Sequence, residues 1–364
     1  MAQPTGALSH IRVLDLSRVL AGPWSSQMLA DLGAEVIKVE RPEIGDDTRA
    51  WGPPYAPDAV HGGPAESAYF LSANRGKASV TIDITRTEGQ ALVRDLATQC
   101  DVVIENFKVG GLRKYGLDYD TLSASNPALV YCSITGFGQT GPYAHRPGYD
   151  FMIQAMGGLM SVTGEPDDVA GGGPEKVGVA LADILTGLYA TIGILGALTH
   201  RDRTGQGQHI DLALLDVQVA CLANQAMNYL VSGHAPGRLG NAHPNIVPYQ
   251  SFAAADGHFI LAVGNDAQFE RLCGLLGEDD WARDPRFASN AERVEQRADL
   301  VPLLQEHFKR HPVDRWLTDM DRIDVPCGPI NTLDRVFADP QVQHRGMRLD
   351  LPHSLAGSVP QVAN

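Results

Sequence analysis

The sequence predicts an α/β protein: a doubly wound parallel sheet over the larger part of the chain, followed by a smaller α+β domain. Three observations predict it. From residue 11 onward, short apolar runs alternate with helix-length segments. The runs are apolar throughout rather than alternating, as strands covered on both faces are. Past about residue 230 the chain becomes charged and mostly helical. A length of 364 residues allows two domains. We expect a large α/β domain over 1–225, a small α+β domain over 230–330, and 331–364 returning toward the large domain.

The elements follow in order. Residues 11–16 (IRVLDL) read as a buried strand and 17–22 as a loop. Pro23 suits the first turn of a helix that runs to Leu32, Gly33 stops it, and 34–40 is the next strand. After a Pro/Gly-rich loop (41–66), 79–84 (SVTIDI) is a strand, and Thr85, Arg86, Thr87 and Glu88 resemble a capping box opening a helix to Gln99. Residues 101–107 and 128–135 are two further strands. Beyond a Gly-rich stretch (164–175) lie an apolar segment (177–200) and a helix over 211–231; 232–250 has the composition of an interdomain linker. A strand (258–263), helices over 266–276, 291–310 and 313–320, and a last helix over 332–344 complete the pattern, with no closing element after them. There is no internal repeat and no low-complexity run.

Charge and cysteine content exclude several functions. With 29 basic and 43 acidic residues the net charge is 29 minus 43, or −14, which argues against a partner that is nucleic acid or an anionic membrane. A small polyanionic ligand would need a local basic patch. The five cysteines are scattered singly with no CxxC pair, so neither a disulfide framework nor a thiolate zinc site is suggested, and a cytoplasmic location fits. The first residues lack the basic and apolar regions of a secretory signal. Residues 177–200 are long enough to span a bilayer, but Gly178, Gly187, Gly193 and Gly196 dilute the segment and no second one exists. We read it as a buried core helix and expect no membrane. Its one full charge, Asp183, then requires a reason, because a lone buried carboxylate costs several kcal/mol unless amides or partners satisfy it. Placed near the start of the helix, it is either a structural N-cap or a desolvated nucleophile.

Other motifs carry less. Gly136-Phe137-Gly138-Gln139-Thr140-Gly141 fits GxGxxG after a strand, but Pro142 follows at once, so no helix N-terminus receives a pyrophosphate and a nicotinamide-dependent dehydrogenase is disfavoured. His307 and His311, four apart among charged residues, read as a solvated face rather than metal ligands. No metal site is expected. No nucleophile elbow or Walker loop is present. Basic residues do cluster after strands: Arg41, then Arg75 and Lys77, then Lys108, Arg113 and Lys114. In a doubly wound sheet such loops line the ligand crevice, so Arg41, Lys108 and Lys114 are candidates for phosphate contact, against the alternative of scattered surface charge.

Several long stretches resemble the class III (CaiB/BaiF-like) CoA-transferases, which include formyl-CoA and carnitine CoA-transferases, and the related 2-methylacyl-CoA racemases. They are VLDLSRVLAGPWSSQMLADLGAEVIKVERP (13–42), NRGKASVTID (74–83), DVVIENF (101–107), PGYDFMIQAMGGLMSVTGEPD (147–167), VGVALADILTGLYA (177–190), RTGQGQHIDLALLD (203–216), GNAHPNIVPYQ (240–250) and PCGPINTLDRVFADPQV (326–342). The resemblance implies a Rossmann-like sheet, an interlocked homodimer, no permanently bound cofactor, and CoA or acyl-CoA as substrate. It implies that Asp183 is the nucleophile, passing through an anhydride and an aspartyl-CoA thioester. It places CoA contacts at Leu20, Ala21, Arg41, Ile82, Asp83, Thr85, Asn106, Phe107, Lys108, Lys114, Tyr149 and Asp150, three of which the charge pattern selects independently. The racemases carry a GHD-like triplet where this chain has Gly148-Tyr149-Asp150; a phenol is a poor base near neutral pH, and His145 lies four residues away, so racemase or epimerase is the second reading. A non-catalytic CoA-binding protein is a third. The GGGGQ-like loop of formyl-CoA transferases is not evident, and GNAHPNIVPYQ instead resembles carnitine- and dicarboxylate-type enzymes, implying a small carboxylic or dicarboxylic acceptor and disfavouring oxalate. Family members usually continue past the VPQVAN-like point, so the chain is expected to stop short.

Overall fold

The computed structural model describes residues 6–363. They form two compact units, one of residues up to 160, 176–235 and from 343 onward, the other of 161–175 and 236–342.

The first unit opens with β1 (Arg12–Asp15), α1 (Ala21–Asp31) and β2 (Glu35–Glu40), then a β3 (Tyr55–Pro57) and β4 (Pro64–Ser67) ribbon and α2 (Ala68–Ala73). It continues with β5 (Lys77–Thr81), α3 (Thr87–Thr98), β6 (Val102–Glu105), α4 (Tyr119–Ser125), β7 (Val130–Thr135), α5 (Asp150–Met156), α6 (Leu181–Thr204), β8 (Gln208–Ala213), α7 (Leu214–Ala220) and α8 (Ala223–Ser232). Six strands pair in parallel in the order β5-β2-β1-β6-β7-β8. The order reverses between β1 and β6, and at such a switch point the loops after the two strands part to leave a crevice. Val13, Val36, Val102, Ile104, Val130 and Cys132 form the central layer of the core.

Three expectations for this unit are corrected. The helix after β5 begins at Thr87, capped by Arg86 without a side-chain bond, because Thr85 is used elsewhere: its Oγ1 donates to Asp83 at 2.6 Å. The helix expected over 211–231 gives way to β8 up to Ala213, and the rest breaks between α7 and α8. β8 is an edge strand whose side chains are half exposed, so it lacks the continuous apolar run of its neighbours. Finally, a closing element does exist: β12 (Arg348–His353) and β13 (Gly357–Val362) form an antiparallel hairpin in this unit.

The apolar segment is α6, the one helix among the described residues long and apolar enough to cross a membrane. Its Ala182, Ala190, Ile194 and Ala197 face belongs to the core beside Val13 and Val130. A side chain at Gly187 would start 2.8 Å from the Ala21 carbonyl oxygen, so glycine sets the close crossing of α1 and α6.

The second unit holds an antiparallel sheet of β9 (Tyr249–Ala253), β10 (His258–Ala262) and β11 (Cys327–Pro329), with α9 (Asp266–Leu276), α10 (Asn290–Glu295), α11 (Arg297–Phe308) and α12 (Val313–Arg322). Phe252, Phe259 and Trp316 pack around Phe308, with ring centres 4.9–5.2 Å from it. The expected last helix is split into α13 (Leu333–Ala338) and α14 (Pro340–His344), since Asp339 before a proline turns extended. His307 is not on a solvated face: it is buried, with Nε2 3.1 Å from Glu278 and its ring against Trp281. Local charge misled there because the partner comes from another element.

Candidate active site

The crevice floor is ionic. Asp15, the last residue of β1, is fully buried and accepts hydrogen bonds from the Ser17 amide at 2.9 Å, the Ser17 hydroxyl, and Ser26 Oγ at 2.5 Å, with Lys77 Nζ 3.3 Å away. Lys38, pointing in from β2, pairs with Asp46 at 2.9 Å and donates to the Ser17 carbonyl at 2.8 Å. Burial would raise the Asp15 pKa, but Lys38, Lys77 and the serine hydroxyls outweigh it and hold the group at about 2. Two carboxylates thus face two amines, as buried ionisable groups need, with burial pulling the Lys77 ammonium down to about 7.

Above this floor the loops after β1, β2, β5 and β6 enclose a cavity of about 540 Å³. Arg18 and Arg41 stand at its edge and share one carboxylate, Asp47, at 2.9 and 2.6 Å. The Asp83 carboxylate accepts from the Thr85 amide and hydroxyl, shaping the turn after β5. An adjoining cavity of about 460 Å³ shares Arg18 and Phe107 with the first and carries Trp51, Lys108, Arg146, Tyr149 and Asp183 on its wall. The loops after β1 and β6 are clamped together there: Asn106 accepts from the Arg18 amide at 3.0 Å and donates to the Arg18 carbonyl at 2.6 Å. The next residue, Val19, sits at φ +71°, a conformation that a β-branched side chain tolerates only when its surroundings impose it.

Asp183 lies in the first turn of α6, not at its cap, which is Ala180. The amides expected to satisfy it are already engaged. Leu181 donates to the Val179 carbonyl, Ile184 to the Ala180 carbonyl, and Ala182 to the Asp150 carboxylate at 2.8 Å. Among the described residues, no side chain donates a hydrogen bond to the Asp183 carboxylate. Burial, reinforced by the neighbouring charge of Asp150, therefore pushes its pKa up to about 7. The same two carboxylates, added to burial, push the Tyr69 phenol up to about 12. Buried Glu105, at the end of β6, is also raised to about 7 by burial, although it accepts from the Phe107 amide at 2.7 Å. No three His, Cys, Asp or Glu side chains among the described residues converge to hold a metal ion.

The family model for CoA-transferase family III matches residues 8–364. The chain belongs to CoA-transferase family III. It is 57% identical over 344 residues to succinate–glutarate CoA-transferase of Agrobacterium fabrum, covering 94% of this chain and 85% of that one. It is 45% identical over 352 residues to mouse succinyl-CoA:glutarate CoA-transferase, covering 97% and 78%. The crystal structure of a CaiB/BaiF family protein from Brucella suis superposes with a TM-score of 0.85 at 56% identity, covering 100% of this chain and 92% of that one.

In this family III transferase the two cavities gather most of the residues expected from the sequence. Arg41, Ile82, Asp83, Thr85 and Phe107 line the first, and Leu20, Ala21, Asn106, Phe107, Lys108, Tyr149 and Asp183 the second. Two residues are placed differently. Lys114 lies outside both linings with its ammonium 4.6 Å from the Tyr115 ring centre, and the Asp150 carboxylate accepts from the Ala182 amide in the first turn of α6 and from Gln154 at 2.8 Å. His145, the substitute base considered for a racemase, is absent from both walls. The residues from Gly141 to Tyr149 stay non-helical, so GFGQTG opens no phosphate-binding helix. Sequence reasoning missed Arg18, Lys38, Asp46, Asp47 and Trp51. The run of acids at 46 and 47 inside the Pro/Gly-rich loop was the available signal, since charges in such a loop face either solvent or a site.

Proposed function

We propose that this transferase moves CoA from an acyl-CoA donor to a free dicarboxylic acid, with Asp183 as the covalent carrier. The observation that carries the reading is one carboxylate, poorly solvated and without a partner among the described residues, on the wall of a cavity that adjoins a cation-edged one at the strand ends. The names of the relatives at 57% and 45% identity support the dicarboxylate class.

The CoA nucleotide and its phosphates take the first cavity near Arg41 and Arg18, and the pantetheine arm passes Asn106 and Phe107 toward Asp183. A carboxylate oxygen of Asp183 attacks the thioester carbonyl carbon, and the C–S bond breaks to give a mixed anhydride and CoA thiolate. The thiolate, held close, attacks the Asp183 carbonyl carbon; the C–O bond to the acyl group breaks and the donor acid leaves as its carboxylate. The acceptor carboxylate then reverses these steps on the aspartyl-CoA thioester. One thioester is lost and one is made, so no ATP is required. Desolvation strengthens Asp183 as a nucleophile once ionised.

Phe151 of α5, Tyr189 and Ile192 of α6, and Met227, Leu230 and Val231 of α8 are exposed apolar side chains, and we propose that a second copy of the chain covers them in a homodimer, checked by light scattering. The five free cysteines accord with a reducing, cytoplasmic setting. The decisive experiment is a mass spectrum after incubation with glutaryl-CoA or succinyl-CoA. The expected product is the protein carrying CoA less one water on Asp183, absent in Asp183→Ala. An unmodified Asp183, or full CoA exchange by Asp183→Ala, sinks the reading. Deuterium entering the α-carbon of a 2-methylacyl-CoA without CoA exchange would assign racemization instead.

A further inference from the structure

The Asp183 cavity carries three cations, Arg18, Lys108 and Arg146. The pantetheine arm that must enter it is uncharged, so their positive charge is left to serve something else. Arg18 is held by Asp47 at 2.9 Å and belongs equally to the first cavity. Lys108 is an exposed side chain. Arg146 differs from both. It is half-buried, its guanidinium lies 5.5 Å from the Phe137 ring centre and 4.8 Å from that of Tyr143, and no carboxylate among the described residues pairs with it.

The loop that presents it is built to hold its position. Gly136 and Gly148 meet back to back, so close that a Cβ on either would lie 2.5 Å or less from the other's Cα. The Arg146 amide donates to the Tyr143 carbonyl at 2.9 Å in a tight turn, and the Phe137 and Tyr143 rings meet edge to face at 5.5 Å. A guanidinium fixed by two aromatic rings keeps its fork of N–H donors free and pays little entropy on engaging a carboxylate.

Resting on the transferase reading above, we propose that Arg146 selects the dicarboxylic acid, binding the carboxylate that does not react while the other acyl end meets Asp183. A monocarboxylic acyl group leaves the guanidinium without its anion and loses a charge-assisted pair.

Single-turnover formation of the Asp183-linked CoA thioester tests this, measured by mass spectrometry with glutaryl-CoA and with valeryl-CoA, donors of equal acyl carbon number that give the same adduct. The unmodified protein should react faster with glutaryl-CoA. Arg146→Gln should slow the glutaryl-CoA reaction at limiting substrate by about 30-fold and leave the valeryl-CoA reaction unchanged. Arg146→Lys should retain an intermediate preference, as charge without the fork allows. The unchanged valeryl-CoA rate also reports that the variant is folded, and Arg146→Lys carries the test if the glutamine variant is not. Equal loss with both donors, or an unaltered preference in Arg146→Gln, overturns the assignment of Arg146 alone. If the unmodified protein forms no adduct with either donor, the transferase mechanism fails and this inference with it.

Discussion

Asp15 and Asp183 are the same side chain withdrawn from water in the same unit, and their surroundings drive them in opposite directions. Asp15 has two lysines and two serine hydroxyls, so burial concentrates favourable interactions and its pKa falls to about 2. Asp183 has an apolar helix around it, no donor among the described residues, and a second carboxylate beside it; its pKa rises to about 7. Depth of burial therefore does not decide the outcome. Partners do, and a pair of carboxylates pushed apart in this way separates a structural role from a chemical one.

Removing partners from the first should make it behave like the second. Lys38→Met leaves Asp46 and Asp15 facing a cavity floor with one cation for two anions, and should lower the unfolding free energy by about 3–5 kcal/mol in denaturant titrations at neutral pH. A loss near zero would mean that the floor is wetter than the contacts imply. Removing the charge from the second should do the reverse. Because the native chain holds the Asp183 proton more tightly than the unfolded chain does, the stability it contributes is present at low pH and is lost as pH rises from about 4 through 7. Asp183→Asn should therefore be more stable than the unmodified protein at pH 8, by about 4 kcal/mol, with the difference closing near pH 4; equal stability at both values contradicts a carboxylate without a partner among the described residues.

The smallest effect concerns Asp150. The kcat/KM for acyl-CoA should rise with pH through about 7 as Asp183 ionises in the free enzyme. Asp150→Asn keeps an oxygen to accept from the Ala182 amide but removes the like charge, so the midpoint should move down by about half a unit. A midpoint that stays or rises would show that desolvation alone sets it.

The same contrast explains how much the sequence revealed. Asp183 was legible because a single charge in 177–200 contradicts its own segment. Asp15 was not, since it sits next to the end of the run IRVLDL like any polar residue near a strand end, and its partners arrive from β2 and β5. The inner strands were legible from apolar runs bounded by glycine and proline. β8 was lost because an edge strand pairs on one side and carries no such run, so QHIDLA merged with the helix after it. Arg146 had no signal at all: its meaning lies in what fails to pair with it.

The contact between Gly136 and Gly148 has a further consequence. It brings the two ends of the intervening residues into backbone contact. Insertions, deletions and exchanges between those ends can then alter what meets the substrate while Asp150, two residues past the pinch, keeps its hold on the helix bearing the nucleophile. Such a design separates the part of an enzyme that diversifies from the part that must not, and makes residues 137–147 the place where new acid specificities would arise at little risk to the chemistry.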